Sequence, residues 1–158
     1  MFRPIQRIRQ QLSDAECIAV LENQTRGVLS VLGDDGYPYG VPLNYWRNPD
    51  DGSICFHSGK SGHKLDAISA CDKASFCVME QAERAEGEWW YRVRSVIVFG
   101  RIQMIEDPDE KTEMCRKLSL KFTDDEAYIS DEISRLLEVT CCFRLIPEHI
   151  SGKTVTEK

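Results

Sequence analysis

The spacing of apolar residues changes near Gly27, where a helical pattern gives way to short strands. Ser13, followed three residues later by Glu16, has the sequence of a helix-capping box. Beyond Gly27, apolar runs alternate with turn sequences such as Asp34-Asp35-Gly36. The pattern predicts one N-terminal helix and then a succession of strands. The helix has an apolar stripe made of Cys17, Ile18, Val20 and Leu21.

The strand segments predicted from this pattern cover residues 28–32, 37–45, 54–57, 75–80, 89–106 and 139–145. The last of them is expected to end before Pro147. Short helices are predicted over residues 64–70, from Asp107-Pro108 onward, and within residues 123–138. The second of these helices has an apolar face of Met114, Leu118 and Phe122. Closely spaced strands with a few short helices indicate a mainly β protein of α+β type, built as an antiparallel β-barrel.

The segment 89–106 is too long for one straight strand, because it would extend about 60 Å where strands usually extend about 20 Å. Its apolar residues occupy odd positions up to Phe99 and even positions after Gly100. A change of face at a glycine predicts a bulge or sharp bend there. Val96 and Val98 make the opposite face apolar as well. We therefore expect this second face to be covered by a partner.

The strand 37–45 alternates bulky and small residues. The odd positions, expected to face the barrel interior, are Tyr37, Tyr39, Val41, Leu43 and Tyr45. Pro38 and Pro42 lack an N–H group, so the strand cannot pair fully on both sides. Two interpretations remain open: an edge strand that its prolines protect against aggregation, or a backbone that a flat ring can approach closely at Gly40.

The loop from Ser58 to Lys64 leaves a strand and opens a helix, which makes it a candidate anion site. Backbone N–H groups and the helix dipole converge at such a position, and the loop adds two serines and two lysines. The glycine spacing does not match a nucleoside-triphosphate-binding loop. A single phosphate group fits better, and the alternative is a flexible glycine turn with solvated lysines.

Other polar residues interrupt apolar strands. His57 ends a strand directly before the loop and is either a structural or a catalytic histidine. Arg94 and Ser95 either lie at the barrel rim or meet a ligand across a dimer contact. The pair Trp89-Trp90 fits the core and an interface, although an aromatic ring can also stack on a substrate.

Composition limits the classes of function. A net charge of −6 disfavours binding to nucleic acid or to an anionic membrane. The sequence contains no apolar run of membrane-spanning length and no export signal, so we expect a cytoplasmic protein with one domain over residues 1–158. The seven cysteines include no C-x-x-C pair and mostly occupy positions of small apolar residues, which predicts free thiols and no metal site.

Five short motifs occur in order along the chain: Gly36-Tyr37-Pro38-x-x-Val41-Pro42-Leu43-x-Tyr45, Ile54-x-Phe56-His57-Ser58, Gly62-His63-Lys64-x-Asp66, Arg94-Ser95-Val96-Ile97-Val98-x-Gly100 and Ile150-Ser151-Gly152-Lys153. Each alone is weak evidence, but together they cover about residues 3 to 153. In this combination the chain resembles the FMN-binding split-barrel proteins related to pyridoxamine 5′-phosphate oxidase, specifically their nitroimidazole-reductase-like branch.

The resemblance implies a split β-barrel homodimer with FMN at the subunit interface. By position, it implies that the backbone of Val41, Pro42, Leu43 and Asn44 borders the flavin ring. It places His57 and Ser58 at the ring edge, and Gly62, His63 and Lys64 around the phosphate. Arg94, Ser95 and Val96 would approach the cofactor from the partner subunit. His57 corresponds to the histidine that this branch places beside flavin and substrate.

The function implied is an FMN-dependent oxidoreductase that takes electrons from NADH or NADPH and passes them to a small acceptor such as a nitroaromatic compound. The absence of a dinucleotide-binding G-x-G-x-x-G motif predicts that the nicotinamide binds only transiently. The alternatives are a flavin reservoir or sensor, pyridoxamine 5′-phosphate oxidase-like activity, and a barrel that holds haem or no cofactor. Oxidation of pyridoxamine 5′-phosphate is disfavoured, because the sequence has no second arginine-rich cluster to bind a substrate phosphate.

Overall fold

One antiparallel sheet dominates the computed structural model, which describes residues 2–156. Its strand order is β2-β1-β5-β6-β7-β4-β3, and the sheet curls so that β2 approaches β4. This curled arrangement with peripheral helices is a split barrel and confirms the predicted fold class. The strands are β1 (Arg26–Leu32), β2 (Pro38–Asn44), β3 (Trp46–Arg47), β4 (Ile54–Gly59), β5 (Lys73–Met79), β6 (Arg92–Ile105) and β7 (Thr140–Thr156).

The helices begin where the sequence predicts them, and the side chains of Ser13, Asp107 and Asp125 cap the first turns of three of them. The Ser13 side chain accepts a hydrogen bond from the Glu16 N–H, and the Glu16 carboxylate accepts one from the Ser13 N–H, which completes the capping box. Asp107 caps the helix that starts at Pro108. Within residues 2–156, no helix combines the length and apolar character needed to cross a membrane. The α-helices are α1 (Asp14–Asn23), α2 (His63–Ala70), α3 (Pro108–Ser119) and α4 (Glu126–Leu136).

The main core lies on the concave face of the sheet and is centred on aromatic rings. Phe56 and Phe76 meet edge to face with their centroids 5.0 Å apart, and Phe143 stacks on Phe56 at 5.3 Å. The fully buried Tyr45 hydroxyl donates a 2.8 Å hydrogen bond to the Leu21 carbonyl. This bond fastens α1 to the sheet and satisfies a polar group that burial would otherwise penalise.

A second, smaller apolar cluster lies on the opposite face of the sheet, beneath α3. It consists of Cys55, Ile105, Met114, Cys115 and Cys142. Because successive residues of a strand point to opposite faces, Cys142 belongs to this cluster while its neighbour Phe143 belongs to the main core. The sheet is therefore covered on both faces where β4 and β7 pair.

The long strands β6 and β7 differ from the prediction in two respects. The buried even positions of β6 are Val96, Val98, Gly100 and Ile102, so this face does not change at Gly100. Ile105, at the end of the strand, is buried in the smaller cluster. The expectation that a partner covers the face of Val96 and Val98 is wrong, because these side chains lie in the main core. Ile97 and Phe99 instead lie on the outer surface. The predicted end of the last strand before Pro147 is also wrong, because β7 continues to Thr156.

The irregularity predicted at Gly100 exists, but the extra residue belongs to β7. Phe99 pairs with His149 and Gly100 pairs with Pro147, so Glu148 is the inserted residue. A Cβ atom on Gly100 would lie 2.0 Å from the Ile146 carbonyl oxygen. The bulge therefore depends on glycine at this position.

At the sheet edge and at the end of α3, the structure differs from the prediction in two details. β2 is an edge strand, as its prolines indicate, and Tyr39 and Leu43 pack against the core. Tyr37, predicted to point inward, is exposed. The apolar face predicted for α3 is wrong at Phe122, which is exposed and lies beyond the end of the helix.

Candidate functional site

The first turn of α2 presents free backbone donors. The N–H groups of the first turn of any α-helix lack a partner within the helix, and in the described chain no side chain caps α2. Gly62 precedes the helix with φ of +118°, a backbone conformation that favours glycine. A Cβ atom on Gly59 or Gly62 would meet nothing within 4 Å, so the loop is open on its outer side. The arrangement can bind an anion, and it matches the expected role of Gly62, His63 and Lys64.

A ring contact joins this helix start to the edge strand β2. The Tyr39 ring stacks on the His63 imidazole with 4.2 Å between centroids and 16° between planes. On its other side, His63 Nε2 lies 3.5 Å from a carboxylate oxygen of Asp34. The alternation of bulky residues in this strand predicts that Tyr39 faces the barrel interior, but it does not predict the contact with His63. The contact brings the backbone of β2 next to the anion-binding turn.

The segment Val41-Pro42-Leu43-Asn44 lies in β2, at the edge of the sheet next to this contact. β2 pairs with β1 along its length, and its other side is not occupied by a strand. Asn44 Oδ1 accepts a 2.9 Å hydrogen bond from Arg26 Nε, which orients the last side chain of β2. The main chain here can lie against a flat ligand ring, as the resemblance implies.

His57, Ser58 and Lys64 lie on different sides of the same loop. The Ser58 hydroxyl donates to the Gly59 carbonyl oxygen at 2.9 Å. Lys64 is half-buried with Nζ 5.9 Å from the Phe143 ring centroid, and burial lowers the pKa of this lysine. His57 pairs with Cys142 across the strands and has an exposed side chain. It shares a strand face with Cys55, opposite Phe56, and therefore lies towards the α3 cluster.

Arg94, Ser95 and Val96 lie apart from the loop, in the middle strand β6. Arg94 donates two hydrogen bonds to the Glu80 carboxylate, at 2.6 and 2.9 Å, from Nε and Nη2 of its guanidinium group. Two of its nitrogen atoms therefore already have a partner within the protomer. Ser95 lines a cavity of about 360 Å³ on the outer face of the sheet. The Val96 side chain is fully buried in the main core. Any ligand contact at Val96 would therefore use main-chain atoms.

The outer face between β2 and Ser95 is apolar and open to solvent. Val28, Cys77 and Ile97 form one row across three paired strands. Val28 and Ile97 are 39% and 38% exposed, and Phe99 and Met79 are 36% and 63% exposed. Such a continuous apolar face is unusual on a monomer's surface and is typical of an interface. We call the face formed by Val28, Cys77, Met79, Ile97 and Phe99 the outer apolar face.

Potential metal ligands do not cluster in residues 2–156, where no group of three or more His, Cys, Asp or Glu side chains is arranged to hold an ion. All seven cysteines are free. Cys115 and Cys142, however, lie with their sulfurs 3.6 Å apart. The sequence predicts free thiols at positions of small apolar residues, but it does not predict this pair.

Solved structures with similar folds include three with informative descriptions. A candidate 5-nitroimidazole antibiotic resistance protein from Bacteroides thetaiotaomicron is 16% identical with a TM-score of 0.77, and the match covers 92% of this chain and 87% of that one. A FAD-binding protein from Mesorhizobium loti is 26% identical with a TM-score of 0.69, covering 92% and 97%. A FAD- and haem-binding protein from Mycobacterium smegmatis is 21% identical with a TM-score of 0.74, covering 94% and 74%.

Sequence comparison gives the family. Proteins with curated functions include no significant match to this chain. The sequence profile described as pyridoxamine 5′-phosphate oxidase matches residues 13–154, which span every α-helix and nearly all of the sheet. With the split-barrel fold and this match together, the chain belongs to the pyridoxamine 5′-phosphate oxidase family.

Proposed function

We propose that the protein is a homodimeric FMN-dependent oxidoreductase that passes electrons from NADH or NADPH to a small acceptor such as a nitroaromatic compound. Membership of the family supports a flavin cofactor. So do the FAD-binding proteins of similar structure. The likeness to a candidate nitroimidazole resistance protein supports a nitroaromatic acceptor.

The observation that carries the proposal is the open first turn of α2 beside the edge of β2. The turn offers backbone N–H groups and the positive end of a helix dipole to a phosphate. Lys60 and Lys64 add positive charge on either side of Gly62. The contact of Tyr39 with His63 fixes the distance from this turn to the β2 backbone. A monophosphorylated ring compound fits this combination: the phosphate would bind at Gly62, His63 and Lys64, and the ring along residues 41–44.

A second protomer would complete the site. The outer apolar face extends from the strand next to β2 towards Ser95 and would be removed from water by a second copy of the chain. In such a dimer, Arg94, Ser95 and the main chain of Val96 would approach the ring from the partner, while Glu80 holds the Arg94 fork in place.

Bound FMN would supply the hydride and electron transfer, and the chain would bind, orient and shield the reactants. Ser58 and the β2 backbone would offer hydrogen bonds at the ring edge. His57, exposed at the end of β4, would orient the acceptor or donate a proton to it. The outer apolar face of the partner would exclude water from the ring.

An anaerobic titration tests this function. Protein reconstituted with FMN should be yellow and dimeric, should bleach with NADH or NADPH, and should recover its spectrum when a nitroaromatic acceptor is added. Bleaching without acceptor-dependent recovery would instead indicate a flavin reservoir or sensor. A protein that stays colourless and monomeric with excess FMN would contradict the proposal. Pyridoxamine 5′-phosphate, supplied as a substrate under air, tests the oxidase activity of the family's namesake.

A further inference from the structure

Two cysteines that are 27 positions apart in sequence meet beneath α3. Cys115 lies on α3 and Cys142 on β7, and their sulfurs are 3.6 Å apart, a distance at which the thiols hydrogen-bond. A disulfide needs the sulfurs at about 2.05 Å, so closing this gap takes a movement of roughly one and a half ångströms by two side chains. Both thiols lie in the small apolar cluster, 8% and 1% exposed.

The surroundings give the two thiols different roles. The hydrogen bond from Cys142 lowers the pKa of the Cys115 thiol, with further contributions from the His57 imidazole and the positive charge of Lys111. The same hydrogen bond, together with burial, raises the pKa of Cys142. Cys115 is thus suited to be the thiolate that attacks an oxidant, and Cys142 the thiol that resolves the product.

The remaining cysteines lack these features. Cys55 belongs to the same cluster, but burial raises its pKa to about 11, which keeps it a thiol. Cys141 directly precedes Cys142 in β7, and its side chain packs against the main core. Cys71 and Cys77 are partly exposed, and burial raises the pKa of Cys77.

A cleft next to α2 reaches the pair at Cys142, which contacts the Cys115 sulfur at 3.6 Å. A cavity of about 510 Å³ is lined by Cys142 and Lys111, together with Lys60 and Ile105. Lys60 and Lys111 line this cleft together with two acidic residues, Asp66 and Glu106. Hydrogen peroxide, which is scarcely larger than water, fits in a cavity of this volume.

We propose that Cys115 and Cys142 form an oxidation-sensitive dithiol that closes to a disulfide with hydrogen peroxide as the oxidant. The Cys115 thiolate attacks one peroxide oxygen and breaks the O–O bond, giving Cys115 sulfenic acid and, after protonation, water. The Cys142 sulfur then displaces the sulfenic hydroxyl from Cys115 and releases a second water. Two thiols and one peroxide thus become one disulfide and two waters. The bond links α3 to β7 and requires no flavin.

Peptide mapping of the full chain tests the proposal. Reduced protein is treated with a small excess of hydrogen peroxide, its remaining thiols are alkylated, and the peptides are analysed by mass spectrometry. We expect one linked peptide pair, joining Cys115 to Cys142 and lighter by two hydrogen atoms. The other five cysteines should be alkylated, and dithiothreitol should restore the reduced pair. Oxidation of Cys71 or Cys77 before the pair, or no Cys115–Cys142 link, would overturn the proposal.

Variants assign the order of the two sulfurs. With Cys142→Ser, which keeps a hydrogen-bond donor beside Cys115 but cannot form a disulfide, the Cys115 sulfenic acid should persist and be trapped by dimedone. With Cys115→Ala, neither a disulfide nor a dimedone adduct should form at Cys142. Cys71→Ser is the matched control and should form the disulfide at the wild-type rate. A dimedone adduct on Cys142 in Cys115→Ala would contradict the assigned roles, and the wild-type peptide map remains decisive if a variant fails to fold.

Discussion

The Tyr39 ring lies nearly parallel to the His63 imidazole, 4.2 Å away, and connects the edge strand β2 to the first residue of α2. Different local features position the two residues: Tyr39 packs against the core, and His63 follows the glycine that precedes α2. Their contact turns two local features into one site. A ligand with an anionic end and a flat ring could bind to both at once.

Replacing Tyr39 tests whether this contact organises the cofactor site. Tyr39→Ala should weaken FMN binding about fivefold, because an aromatic pair contributes about 1 kcal/mol and its loss frees His63 and the loop. Quenching of flavin fluorescence measures the affinity. Tyr39→Phe, which keeps the ring, and Tyr37→Ala, which removes an exposed ring outside the contact, should bind as the wild type does. An unchanged affinity in Tyr39→Ala would show that the stack has no part in binding.

Replacing His57 tests its proposed role towards the acceptor. His57→Ala should slow reduction of a nitroaromatic acceptor about a hundredfold while FMN still binds, because general acid–base catalysis is worth about that much. Stopped-flow reoxidation of the reduced protein isolates this step from reduction by NADH. Lys73→Ala, at the exposed start of β5, serves as the control and should match the wild type. Equal reoxidation rates for His57→Ala and the wild type would remove His57 from the reaction.

The parts of the fold that local sequence encodes were predicted from it. The capping box at Ser13, the proline start of α3 and the glycine before α2 each use residues within one helical turn. The strand, loop and helix start that make up the proposed anion site also belong to this group. Its prediction required only a strand, a glycine-rich loop and a helix in succession.

The errors arose where both faces of a strand are apolar or where contacts are distant in sequence. β6 carries apolar residues at both odd and even positions, so alternation could not decide which set faces the core. Pro147 indicated a strand end, but the bulge opposite Gly100 accommodates a residue without an N–H group. The Tyr39–His63 and Cys115–Cys142 contacts depend on the curl of the sheet and on the docking of α3, which local patterns do not encode.

A side chain at Gly100 should disrupt the bulge that joins β6 and β7. Gly100→Ala would place a Cβ atom 2.0 Å from the Ile146 carbonyl oxygen, and the backbone cannot move away without breaking the β6–β7 pairing. We expect a loss of about 3 kcal/mol in the free energy of unfolding, measured by urea denaturation. Gly59→Ala meets nothing within 4 Å and should change stability by less than about 1 kcal/mol. Equal stabilities of the two variants would contradict the close approach.

Lys121 should make stability depend on pH in the alkaline range. Its ammonium lies 4.3 Å from the Tyr45 ring centroid and donates to the Gln24 carbonyl, and burial lowers its pKa from 10.5 to about 8. Between these two pH values the unfolded chain binds more protons than the folded chain, so stability attributable to Lys121 increases as pH rises from about 8 to 10.5. Below about pH 8 the lysine is charged in both the folded and the unfolded chain, so Lys121 no longer makes stability change with pH.

Urea denaturation of the wild type and Lys121→Met across this range measures the effect. The difference in unfolding free energy should shift in favour of the wild type as the pH rises, because methionine does not titrate and contributions from the other groups cancel. Lys121→Arg provides the matched control, since arginine stays charged throughout the range. The wild type should therefore gain on the arginine variant by the same amount as on the methionine variant. A wild-type advantage that stays constant with pH would mean that Lys121 keeps an ordinary pKa and that its burial against Tyr45 does not disfavour the charge.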